Sequence, residues 1–153
     1  MSAKIVKIIS TFFGVGYLPF FPGTWASLLA LGMYLVLKNY LVFYLVISFV
    51  ILCIGFIFAG RAEILFDKKD SRYIVIDEIA AVLIMCLIIP NNLFSLSLAF
   101  IMFRLLDIIK PFTIKKIESF PGSYGIMLDD LTAMSYACIV IWLINLIIGG
   151  KSG

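Results

Sequence analysis

From Tyr40 to Gly60 the chain runs without one charged side chain. A stretch of that length matches the roughly 17 to 25 residues an α-helix needs to cross the hydrocarbon of a bilayer. Further apolar runs cover about Trp25 to Leu37, Ile74 to Ile89, Leu93 to Lys110 and Leu131 to Ile148. None alternates apolar with polar residues as a barrel strand does, so helices are the economical way to satisfy the backbone. Composition agrees, with 63% of the 153 residues hydrophobic and 14% charged, against about 45–50% and about 25% in soluble domains. The expectation is an all-α integral membrane helical bundle of about five helices, forming one domain over 1–153.

The segments between these runs carry the turn chemistry. Lys4 and Lys7 precede an apolar stretch broken by Gly14, Gly16 and Pro19, which reads as a retained interfacial lead-in rather than a signal peptide. In the Gly/Pro-rich stretch Gly14 to Thr24, Thr24 is the expected N-cap of the first helix. The second helix is expected to continue past Gly60 through Arg61 and Glu63 to Phe66. A hydrophilic loop follows at Asp67-Lys68-Lys69-Asp70-Ser71-Arg72, and Pro90-Asn91-Asn92 turns the chain into the fourth helix. That helix ends before Pro111. Phe112 to Glu118 suits a short surface helix, and Pro121-Gly122-Ser123-Tyr124-Gly125 a second flexible loop before the fifth.

If helices two to five each cross the membrane in antiparallel order, the end of two, the start of three, the end of four and the start of five share one face. The start of helix one joins them. All nine carboxylates fall there: Glu63, Asp67, Asp70, Asp77, Glu78, Asp107, Glu118, Asp129 and Asp130. Ten of the twelve Lys and Arg residues do too, leaving only Lys38 and Lys151 opposite. The positive-inside rule makes the charged face cytoplasmic, and Lys68, Lys69, Lys115 and Lys116 are expected to meet anionic lipid headgroups. The net charge of +3 lacks the interleaved basic and aromatic pattern of a nucleic-acid binder.

Histidine is absent, which removes Ser/His and Cys/His nucleophile systems, His-based zinc sites and phosphohistidine chemistry. Cys53, Cys86 and Cys138 sit inside apolar runs without CxxC spacing and read as small buried hydrophobes. What remains is oxygen chemistry. Asp77 with Glu78, Asp107, and Asp129 with Asp130 are expected to converge, and a hard cation is the natural compensation, Mg²⁺ first and Mn²⁺ or Ca²⁺ next. Arg104, Asp107 and Lys110 share a helical stripe; the two cations suit a phosphate, Arg bidentately and Lys as a point charge. Peptide N–H groups at Gly23-Thr24 add a helix N-terminus able to bind an anion.

Blander readings stand beside these. Asp77 and Glu78, or Asp129 and Asp130, also suit helix starts for the macrodipole or capping alone. Asp107 also suits a structural ion pair, Arg104 and Lys110 also suit snorkelling, and Thr24 suits a cap better than a ligand. A small cation or proton transporter is the non-enzyme alternative; it calls for polar residues crossing to the far side, which helices two, four and five scarcely offer.

Four blocks in order resemble the signatures of the type A phosphatidylglycerophosphatases: Gly16 to Leu28 (GYLPFFPGTWASL), Ile76-Asp77-Glu78, Phe103 to Pro111 (FRLLDIIKP) and Gly125 to Asp130 (GIMLDD). The resemblance covers about Gly14 to Ala133. It departs at Pro121-Gly122-Ser123-Tyr124, where a Gly-rich pair is expected, and at Ala80 or Ala81, where a glycine is expected. It implies a multi-pass enzyme of the bacterial inner membrane that removes the terminal phosphate of phosphatidylglycerophosphate with Mg²⁺, its site facing the cytoplasm. Asp77, Glu78, Asp107, Asp129 and Asp130 would hold the metal. Arg104, Lys110, Gly23 and Thr24 would meet the phosphate, with Asp107, Asp129, Asp130 and Glu78 catalytic. Attack by water or by an aspartate, Asp129 or Asp130, stays open. Another metal-dependent lipid headgroup enzyme is the enzymatic alternative, although the DG…AR…G…D…D spacing of CDP-lipid transferases is not found. Nothing in the sequence sets an oligomeric state.

Overall fold

The computed structural model describes residues 2–69 and 71–149; Asp70 and Lys151, both counted above, lie outside them. Among the described residues there are α-helices, one 3₁₀ turn at Val15–Tyr17 and no strand. The helices are α1 (Ala3–Ser10), α2 (Pro22–Leu37), α3 (Leu41–Leu65), α4 (Ile76–Ile88), α5 (Leu93–Ile109), α6 (Phe112–Glu118) and α7 (Ser123–Gly149). The five expected helices are α2, α3, α4, α5 and α7. The lead-in folds as α1 and the expected surface helix as α6, so the described residues form seven α-helices.

Two boundaries differ from expectation. α2 starts at Pro22, because proline at the first helical position has its φ already set and no N–H to lose. Thr24 is therefore inside the helix, its N–H donating to Phe21 O at 2.9 Å, and is not the N-cap. α7 starts at Ser123 rather than Leu131. Its first two turns absorb the expected loop, and Ser123 Oγ accepts from Gly60 N–H at 2.7 Å, joining α7 to α3. Asp129 and Asp130 consequently lie well inside a helix and cap nothing.

α4 is the centre. It packs against α2, α3 and α7, and Ile79, Ala80, Ala81, Val82, Leu83 and Met85 are each fully buried. Ala80 and Ala81, at the place of the expected glycine, are small enough for close approach. So are Ala26 and Ala30 of α2, Ala59 of α3, and Ala133 and Ala137 of α7, all with no exposure; small residues at contacts are how apolar helices approach when no water drives them together. Tyr44 of α3 donates its hydroxyl to Leu83 O at 2.6 Å, fixing α3 along α4.

The outer shell is apolar as well. α3 leaves Val42, Phe43, Val46, Phe49 and Ile57 more than half exposed, and α7 does the same with Ile139, Trp142, Leu143 and Leu146. Among the described residues, α3 and α7 alone are long and apolar enough to cross a membrane. The expectation of four full crossings thus meets two helices of sufficient length, because α4 and α5, with 13 and 17 residues, rise about 20 and 26 Å at 1.5 Å per residue, short of a hydrocarbon core of about 30 Å.

Candidate active site at the acidic end of the bundle

The starts of α2, α4 and α7 and the end of α5 meet at one end of the bundle. α4 brings Asp77 and Glu78 in its first turn. α2 approaches so closely that a Cβ on Gly23 would collide with Glu78 Oε1 and stand 3.0 Å from Arg104 Nη2. Gly23 is therefore buried against the acids as the one residue type that leaves them room. Thr24 spends its N–H on Phe21 O.

The five acids divide. Asp77, Glu78 and Asp130 each offer a carboxylate oxygen, and these atoms lie within 4.8 Å of one another. Glu78 Oε2 and Asp130 Oδ2 are buried without a hydrogen-bond partner. Asp107 and Asp129 are each matched with a cation. Arg104 Nη1 lies 2.8 Å from Asp107 Oδ2 and 4.0 Å from Glu78 Oε1, while Arg104 Nε is buried with no partner. Lys110 Nζ donates to Asp129 Oδ2 at 2.9 Å and lies 3.3 Å from Glu118 Oε1. Asp129 Oδ1 accepts from Asp130 N–H at 2.9 Å, so both its oxygens are engaged.

This arrangement fits a hard divalent cation. Like charges this close repel strongly once water is excluded, buried carboxylate oxygens without donors call for a positive partner, and an all-oxygen set suits Mg²⁺ or Ca²⁺. The three convergent acids are the ones placed to hold such an ion. The other two are already neutralised by Arg104 and Lys110.

Lys110 reaches Asp129 because the backbone turns there: α5 ends with Lys110 left-handed, at φ 44°, just before Pro111 bars further helix. The sequence stripe of Arg104, Asp107 and Lys110 is thus broken in its last step. Arg104 and Asp107 pair along α5, and Lys110 swings across to α6 and α7.

A cavity of about 280 Å³ opens over these acids. Two of its lining residues, Ser71 and Arg72, come from the hydrophilic loop that sequence reasoning left as plain loop. Glu118, the second partner of Lys110, was also missed. The signal available for Arg72 was a cation five residues before Asp77 at the mouth of an acidic helix start.

The family model for phosphatidylglycerophosphatase A matches residues 8–145. A Bacteroides thetaiotaomicron protein named "Putative phosphatidylinositol-3-phosphatase" is 35% identical, over 93% of this chain and 94% of its own. Phosphatidylglycerophosphatase A of Haemophilus influenzae is 33% identical over 92% of this chain and 88% of its own. The Escherichia coli protein of the same name is 30% identical over 90% and 82%. No solved structure matches the chain.

Proposed function

Because the chain belongs to the phosphatidylglycerophosphatase A family and is thereby a lipid phosphatase, we propose that it hydrolyses the terminal phosphate of phosphatidylglycerophosphate, giving phosphatidylglycerol for phospholipid synthesis, with Mg²⁺. The observation that carries this reading is the trio Asp77, Glu78 and Asp130, converging within 4.8 Å under a cavity. These three would hold the cation, with Asp107 and Asp129 completing its surroundings. A divalent ion there supplies charge neutralisation at the phosphoryl oxygens and activation of a water.

The remaining residues position and compensate. Arg104 is held by Asp107 and keeps its Nε for a phosphoryl oxygen, where a guanidinium donor stabilises charge that grows in an in-line transition state. Lys110 fixes Asp129 and adds positive charge beside it. Gly23 supplies clearance for Glu78 and Arg104, and Thr24 ends up supporting the turn that presents Gly23. Asp129, bonded at both oxygens, is the poorer of the two aspartates as a nucleophile.

The apolar shells of α3 and α7 support a place in the bacterial inner membrane, with these two helices crossing and the shorter ones packed beside them. The clustering of Lys and Arg at the acidic end supports a cytoplasmic site. The name of the Bacteroides relative supports a second substrate reading, a phosphatidylinositol 3-phosphate. Both lipids carry a terminal phosphomonoester on a polyol, joined through a phosphodiester to the diacylglycerol.

The test is phosphate release from phosphatidylglycerophosphate by the protein purified in detergent, with and without Mg²⁺, beside Asp107→Asn and Asp130→Asn. Activity should need the metal and fall sharply in both variants. Activity that survives chelator and both substitutions would sink the mechanism.

A further inference from the structure

Both cations inside the acidic cluster are committed to carboxylates, Arg104 to Asp107 and Lys110 to Asp129. Arg72 differs. It lines the same cavity from the mouth, and among the described residues it has no carboxylate partner. Its Nη2 donates to the Tyr73 hydroxyl at 3.3 Å, and its guanidinium lies 5.2 Å from that ring. A stacked, exposed guanidinium keeps most of its five donors for something outside the protein.

Residues 71–75, which carry Arg72, are anchored at several points. Ser71 is buried at 1% exposure, and Val75 N–H donates to Ser10 O at 3.0 Å. The Tyr73 ring packs against Tyr17 and Phe66, each at 5.5 Å. Its carbonyl sits so close to Gly16 that a Cβ there would collide with it. The backbone at Arg72 is therefore held beside the cavity, and anchoring the backbone in advance lowers the ordering cost on binding.

We propose that Arg72 is the specificity residue that receives the phosphodiester of the lipid headgroup while the acidic cluster takes the terminal phosphomonoester. This rests on the reading of a lipid phosphomonoester as substrate and adds what distinguishes such a lipid from a simple phosphate ester. Both headgroups considered above place a second anion one polyol away from the first. A fork of donors at the mouth of the cavity matches the planar, two-oxygen face of a diester.

The test measures inhibition of phosphate release in non-ionic detergent micelles, where the substrate and the added inhibitor are the only anionic lipids. Two inhibitors separate the phosphates: inorganic phosphate for the monoester position, and a short-chain phosphatidylglycerol, which has the diester alone. Arg72→Ala should weaken inhibition by the short-chain lipid about tenfold to a hundredfold, the loss expected for charge-assisted hydrogen bonds, and leave inhibition by inorganic phosphate within about twofold. Arg72→Lys should recover part of the lipid effect, having the charge without the fork. The pair Lys115→Ala and Lys116→Ala, on exposed α6 positions, should change neither. Equal weakening of both inhibitors, no weakening of either, an equal effect from the α6 lysines, or a wild-type protein indifferent to the short-chain diester would each overturn the assignment. A wild-type protein that releases no phosphate from the lipid would instead overturn the substrate reading beneath it.

Discussion

Where α5 begins, Asn92 Oδ1 accepts from Ser95 N–H at 2.9 Å, and Asn145 Nδ2 donates to Ser95 Oγ at 3.2 Å and to Ile141 O at 2.8 Å. At the other end of the same bundle, Glu78 Oε2, Asp130 Oδ2 and Arg104 Nε are buried with no partner. Both ends draw on α5 and α7, and both bury polar atoms among apolar helices. The first set is neutral and satisfied, as buried polar groups ordinarily are. The second is charged, assembled from α2, α4, α5 and α7, and incomplete. The contrast supports the proposal that the open end takes a ligand that completes it.

Removing a charge from the open end should have the largest effect. Asp130→Asn deletes one of three convergent carboxylates, and outer-shell partners of metal ligands already cost about 10- to 100-fold when mutated. We expect phosphate release to fall by at least about a hundredfold. Binding to the folded state alone raises apparent stability, so Mg²⁺ should raise the melting temperature of the wild-type protein in detergent and not that of the variant. A variant that keeps both activity and the Mg²⁺-induced shift would show that the incompleteness has nothing to do with a cation.

Next comes clearance. Gly23→Ala places a Cβ on Glu78 Oε1 and against Arg104 Nη2, and overpacking of that kind costs about 1–3 kcal/mol. Glu78 and Arg104 must move to relieve it. Activity should drop by about tenfold or more while far-UV circular dichroism stays helical. Alanine at Gly32, where no atom lies within contact of an added Cβ, should leave activity intact.

These residues also mark how far the sequence could be read. The acidic cluster was legible because antiparallel helices bring alternate helix ends together, so Asp77, Glu78, Asp107, Asp129 and Asp130 had to share a face. Which acids stay together was not, since that depends on cations from other elements. Lys110 looked like part of a phosphate-reading stripe until the left-handed turn before Pro111 carried it to Asp129 and Glu118. The N-terminus of α2 was misplaced because Thr24 is a good cap in isolation, whereas Pro22 sets the helix three residues earlier. α7 began early because Ser123 finds its partner in Gly60, sixty-three residues away. Hydropathy could not tell the buried α4 from the outward-facing α3, since each is apolar on every side.

The Lys110–Asp129 pair tests whether paired acids at the open end behave like the satisfied groups at the closed one. Lys110→Met leaves Asp129, with 3% of its side chain exposed, without its cation. The cost should be roughly 3 kcal/mol, the low end for a charge left buried and alone. Adding Asp129→Asn to Lys110→Met should recover much of that stability, a coupling that a double-mutant cycle in chemical denaturant reads directly. It should not recover activity if Asp129 belongs to the surroundings of the cation. Full recovery of activity would make the pair structural only.

At the closed end Asn145→Leu removes the donor to Ser95 Oγ and Ile141 O. Side-chain hydrogen bonds between apolar helices average about 0.6 kcal/mol in membranes, and leucine returns apolar contact in place of the amide. Ser95 Oγ is also left with a lost neighbour, so the net change should be a destabilisation of at most about 1 kcal/mol. Phosphate release per folded molecule should be unchanged, because Asn145 is fifteen residues along α7 from Asp130, about 22 Å at the helical rise. A loss of activity larger than the loss of folded protein would mean that the two ends are mechanically coupled through α7. The contrast between a satisfied end and an open one would then describe a single device.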